Sequence, residues 1–213
     1  MKTISRIRRR ARRSVRGLIG DSRGVAAVEF AVIVPIMLVL FFGVVEFSSA
    51  ISVDRKLSMI ARTLSDLTSQ SLSSTSDTEM QNIFAASASI LTPYSVTPTQ
   101  PTISEIYIDA NKVAKIQWTT SATIAMVSGA PKATLKASAH TKGDIVTVPP
   151  GLQVPKSFLI WSEVNYTYVP TVGYVMAKAG VPLHDQNYTR PRQSTCVDYP
   201  AVVAPAVACT PVP

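Results

Sequence analysis

The 213-residue chain is poor in the residues that build reactive centres, with two histidines, two cysteines and nine scattered glycines. His140 and His184 stand far apart, and no pair of candidate ligands has metal-like spacing, so no metal site is expected. The scattered glycines form no phosphate-cradling loop. No Gly-x-Ser-x-Gly elbow accompanies His184-Asp185, so a hydrolase triad has no support. The expected catalytic, cofactor and metal residues are therefore none, and the chain does not read as an enzyme. Charge is scarce too: 16% of residues are charged, against about 25% in a typical soluble domain.

What charge there is lies at one end. Residues 1–24 hold Lys2, Arg6, Arg8, Arg9, Arg10, Arg12, Arg13, Arg16 and Arg23 against Asp21 alone, and this accounts for the whole net charge of +8. The remaining 189 positions balance, which argues against a nucleic-acid-binding domain. Directly after the basic leader, Val25 to Ala50 reads VAAVEFAVIVPIMLVLFFGVVEFSSA, with no polar side chain from Phe30 to Val45. A bilayer-spanning helix needs about 20 mainly apolar residues, and this run supplies them. The positive-inside rule then leaves the leader in the cytoplasm and the rest of the chain outside.

Gly24 closes the leader, and Glu29 with Phe30 follows five residues later, at the mouth of the apolar run. Gly-x-x-x-x-Glu-Phe after a basic leader resembles the processing site of type IV pilin-like proteins. It is most similar to the TadE branch of the tight-adherence (Tad/Flp) pilus system. Glu29, Phe30, Ala31, Pro35, Gly43, Glu46 and Phe47 follow the EFAxxxPxxxxxxxGxxEF pattern of that family. Ser162–Tyr174 (SEVNYTYVPTVGY) and Tyr188–Arg192 (YTRPR) look like its C-terminal segments. Trp118-Thr119 stands where Trp-Ser is usual, a small departure. The related TadG proteins carry an Asp-x-Ser-x-Ser metal triplet, and this sequence has none.

The resemblance implies a processing site of Gly24, Val25, Glu29 and Phe30. A membrane-embedded aspartyl prepilin peptidase would cut after Gly24, where glycine offers an extended, open scissile position. Glu29 would then lie one helical turn from the new amine on Val25. It also implies partners: other pilin-like subunits, Tad pilus assembly proteins and the prepilin peptidase. The location implied is the bacterial inner membrane, with the C-terminal domain periplasmic. Two other readings stay open: an unprocessed single-pass anchor carrying a periplasmic binding or sensory domain, and a secreted protein cleaved after Ala50. The mature N-terminus separates the three, as Val25, Met1 or Ile51.

The expected fold is α+β, a long N-terminal transmembrane helix continuing outward and then a helix packed on a mainly antiparallel sheet. The division is 1–24 leader, 25–50 transmembrane helix, 51–77 helical extension and Ser-rich linker, and 78–213 external domain with a Pro-rich tail. Leu57, Ile60/Ala61, Leu64 and Leu67 keep helical spacing to about Ser69. Ser76-x-x-Glu79 is a capping box opening a helix that Pro93 stops. Ile103–Asp109 and Val113–Thr119 read as a hairpin, and Phe158 to Tyr168 alternates as a longer strand. Pro131–His140 reads as a short helix, Ile145–Val148 as a short strand, and Thr171–Ala179 as a helical turn closed by Gly180. Cys196 and Cys209, both on the outer side, are expected to form a disulfide, with free buried thiols as the alternative.

Overall fold

A computed structural model describes residues 22–171 and 180–200, together with Cys209 and Pro211. One continuous helix, Ser22–Ser69, opens it, about 70 Å long at 1.5 Å per residue. From Gly24 to Phe47 nearly every side chain is exposed, while Val53, Leu57, Ile60, Ala61 and Leu64 are fully buried. The same helix is thus apolar all round in its first half and amphipathic in its second, which needs two different surroundings. Pro35 sits inside the exposed half without ending the helix.

The short helix, Asp77–Ala88, begins as its capping box predicts. The Glu79 N–H donates to Ser76 Oγ at 3.3 Å, and the Ser76 N–H donates to Glu79 Oε2 at 2.8 Å. The α-helix ends at Ala88, five residues before Pro93, because its last turn tightens into a 3₁₀ turn at Ser89–Leu91. Lys56 of the long helix donates from Nζ to Ile90 O and Thr92 O, 2.7 Å each, which satisfies carbonyls left open where the helical ladder stops. The serine-rich stretch between the helices is not a loose spacer. Thr75 is buried, its N–H donates to Asp198 O, and the Asp198 N–H donates to Ser73 O, both at 2.9 Å.

Six antiparallel strands follow: β1 (Gln100–Ile108), β2 (Ala114–Val127), β3 (Ala130–Lys136), β4 (Ile145–Val146), β5 (Ser157–Tyr168) and β6 (Val181–Thr189). The order is β3-β2-β1-β5-β6, with β4 pairing the start of β2. The long helix packs on β5 and β6, and the short helix packs on β3 and β2. Ile103, Ile160 and Val164 face the long helix in one core with Phe84 and Met80. A smaller cluster on the opposite face joins Ile106, Ile108, Ile116, Leu159 and Trp161 beneath Val148. The fold class is α+β with a long apolar helix in front, as expected.

Three segments differ from the sequence reading. The expected helix over Pro131–His140 is instead β3, because Ser128 and Gly129 take positive φ (51° and 82°) and close a tight two-residue hairpin. Pro131 is tolerated there because β3 is an edge strand. The second strand of the β1–β2 hairpin runs on to Val127, past its β1 partner. β6 lies where no strand was expected, and Gly180 makes its entry possible: φ is +84°, and a Cβ there would meet Thr167 Cγ2 at 2.7 Å and Tyr168 O at 2.9 Å. The turn expected at Thr171–Ala179 lies, beyond Thr171, outside the described residues.

Cys196 and Cys209 are joined in a disulfide, with Cα atoms 5.8 Å apart and a sequence separation of 13. Closing so short a loop is worth about 3 kcal/mol in the chain-entropy account. Thiol labelling of the unfolded, unreduced protein should therefore detect no free cysteine, and two labelled thiols would show the bridge to be absent.

Candidate functional site: the apolar helix and its collar

Gly24, Val25, Glu29 and Phe30 all lie on the first exposed turns of the long helix. Val25 and Glu29 are four apart and share one helix face. Gly24 is helical rather than extended, two residues inside the helix start, and a Cβ added there would meet nothing within 4 Å. The reason is local: helix propagation from the apolar run outweighs the roughly 1 kcal/mol disadvantage of one glycine. A peptidase that needs an extended scissile bond must therefore unwind this terminal turn, which is the part of a helix that frays most readily.

The other end of the apolar run carries a feature the sequence reading named without pairing. Glu46 is only 4% exposed, and Tyr168 donates its hydroxyl to Glu46 Oε2 at 2.8 Å. Burial, and then the neighbouring Glu46 carboxyl, pushes the Tyr168 hydroxyl up to about 12. Glu29 and Glu46 are about 25 Å apart along the helix, at 1.5 Å per residue, so they are separate sites rather than a pair. The signal that could have exposed Glu46 was a carboxylate one turn before the apolar face becomes one-sided. Its partner, 122 positions away, could not be read from the sequence.

Above this level the sheet is bonded to the helix rung by rung. Asp185 accepts from Ser58, Ser162 donates to Ala61 O at 2.6 Å, and Asn187 Nδ2 donates to Ser65 Oγ at 2.7 Å. At the top, Arg192 pairs with Asp66, and its N–H donates to Ser69 O at 2.9 Å. Two C-terminal segments thus supply much of the collar: Ser162, Val164 and Tyr168 from β5, Thr189 and Arg192 from the end of β6 and just after it. His184 and Asp185 point to opposite faces of β6, His184 to Asn165 and Asp185 to Ser58. They form no catalytic pair. Among the described residues, no three His, Cys, Asp or Glu side chains cluster as metal ligands would.

A second buried carboxyl holds the disulfide end of the chain. Glu105, 1% exposed, accepts the Val197 N–H at 2.7 Å, and Trp118 Nε1 donates to Val197 O at 2.5 Å. Burial pushes the Glu105 carboxyl up to about 8, opposed by the Val197 N–H and reinforced by the Asp198 carboxylate. Folding therefore favours the protonated form. This contribution is complete below the ordinary carboxyl range and is lost as pH rises through about 8. At about 1.4 kcal/mol per pKa unit, the swing amounts to a few kcal/mol. Glu105→Gln keeps an acceptor for Val197 and removes the charge. It should raise the Tm on the alkaline side and flatten the pH slope; an unchanged slope would show that Glu105 does not carry it.

Residues 24–64 match the family model described as TadE-like protein. The match begins at Gly24 and covers the apolar run, Glu46 and the buried half of the helix up to Leu64. No curated protein and no solved structure matches the chain at a significant level.

Proposed function

We propose that this chain, TadE-like over residues 24–64, is a pilin-like component in the biogenesis of the Tad/Flp pilus. The observation that carries the reading is the coincidence of the family match with one physical unit. The matched residues start at Gly24 near the beginning of the long helix, run through an apolar stretch that is exposed among the described residues, and end in a buried helix face. Residues 1–24 direct insertion and are removed by a prepilin peptidase at the cytoplasmic side. Val25–Ala50 holds the protein in the inner membrane, where it packs beside other pilin-like helices. The outer domain makes the contacts through which the protein joins or assists the assembling fibre.

Gly24 offers a test free of folding artefacts, since a side chain added there meets only open space. Gly24→Leu should leave a full-length, membrane-retained precursor, while the unaltered protein yields Val25 as its N-terminus. Terminal sequencing decides: the same shortened product from the variant, or a mature chain starting at Met1 or Ile51, would sink the processing reading.

Glu29 has a separate role in this proposal. A carboxylate toward the centre of a membrane helix costs roughly 2.5–3.5 kcal/mol on insertion scales, and less near the interface. Once Val25 is a free amine, Glu29 pairs with that amine on its own or a neighbouring subunit and fixes the axial register between helices. Glu29→Ala should insert and be cleaved normally, yet recover far less of the partner pilin-like subunits on co-purification from membranes. Undiminished recovery together with normal piliation would mean that Glu29 is merely hydrated at the headgroups.

A further inference from the structure

The β2–β3 hairpin runs past the end of its β1 partner down to the level of the β5–β6 end of the sheet, and its direction is fixed by pairing. β1 is antiparallel to both β2 and β5, so those two strands run the same way. β5 runs toward the end of the apolar helix, where Tyr168 meets Glu46. Thr102 pairs with Ser121 on one side and Glu163 on the other, so these two start level. From there β5 continues five positions to Tyr168 and β2 continues six to Val127. At about 3.3 Å per residue, both descend some 17–20 Å toward the membrane end of the helix.

The tip that arrives there is apolar and open. Met126 is 53% exposed and Val127 48%, flanked by exposed Ala125 and Ala130. Val169, just after β5, and Phe47 and Ile51 on the helix are exposed at the same end. Residues 122–136 contain no acidic side chain, and Lys132 and Lys136 stand exposed on β3. The hairpin is held rather than loose, since Ile124 and Ala133 are buried in the core shared with the short helix. Rigid, apolar at the end and basic behind it, the hairpin has the chemistry of a bilayer interface contact.

We infer that the β2–β3 hairpin tip docks on the outer surface of the same bilayer that the long helix crosses, as a second contact with anionic lipid. The inference rests on the spanning role proposed above. Two points of contact, the helix and the hairpin, fix the tilt of the domain on the membrane, which a single helix leaves free to swivel.

The test uses the full chain in phosphatidylglycerol-containing liposomes, with a fluorophore on a single introduced cysteine at Met126, Ser128, Met37 or Asn111. The native cysteines stay bridged and unlabelled. Lipids carrying a nitroxide at the headgroup should quench Met126→Cys and Ser128→Cys strongly. Lipids with a nitroxide deep in the acyl chain should quench Met37→Cys. Asn111→Cys, in the turn at the far end of β1, should be affected by neither. Quenching at 37 without quenching at 126 and 128 overturns the hairpin contact alone. Absence of quenching at 37 overturns the spanning reading on which it rests. A tip that is unquenched in liposomes but becomes shielded when partner subunits are added would make it a protein interface, and would also overturn the inference.

Discussion

The structure depends on one helix that serves two surroundings. From Gly24 to Val45 nearly every described side chain is exposed, and from Ala50 on one face is the centre of the core. Apolar burial of the second half is what gives the sheet something to pack against, since the short helix covers only β2 and β3. The first half gains nothing from the domain and must satisfy its apolar surface elsewhere. The change of regime falls at Glu46, where a tyrosine of the sheet meets the last carboxyl of the apolar run. That contact ties the base of the domain to the helix at a fixed height, and the bonds at Ser58, Ala61, Ser65 and Asp66 repeat the tie above it.

Much of this was legible from local rules. A run of apolar residues, a basic flank, a capping box and a strand with clean alternation are each properties of a few neighbours. The helix end at Ser69 came from the spacing of Leu57, Leu64 and Leu67, and the short helix start from Ser76 and Glu79. β3 was misread for an equally local reason. Ala, Lys and Leu after a proline look like a helix start, and only Ala133 is fully buried on that strand, too little to display a period of two. The Ser128-Gly129 turn before it was the better signal, because it ties the segment to β2.

The remainder was not legible because its meaning is supplied by distant residues. Asp185, Asn187 and Thr189 are polar on the inner side of β6, so the strand lacks the apolar alternation that announces one; their partners are serines of the long helix. Glu105 sits among apolar strand residues and makes sense only once Val197 is placed against it. Glu46 could be seen as a family pattern residue but not as a buried one. In each case a polar side chain in an odd place marked a tertiary contact, and the sequence alone did not give the partner.

The length of these contacts along the chain has a consequence for how the molecule is made. Ser65 meets Thr189 across 124 positions, Glu46 meets Tyr168 across 122, and Trp118 meets Val197 across 79. Non-local pairings of this kind raise contact order and slow folding, because the loops must close before the contacts can reward closure. The long helix is made well before the strands that lie along it. During synthesis Leu57, Ile60 and Leu64 stand with their apolar face uncovered until β5 and β6 arrive. The nascent chain therefore carries a helix whose second half stays sticky until the sheet is made, and completion of the domain is the event that removes that surface from its neighbours.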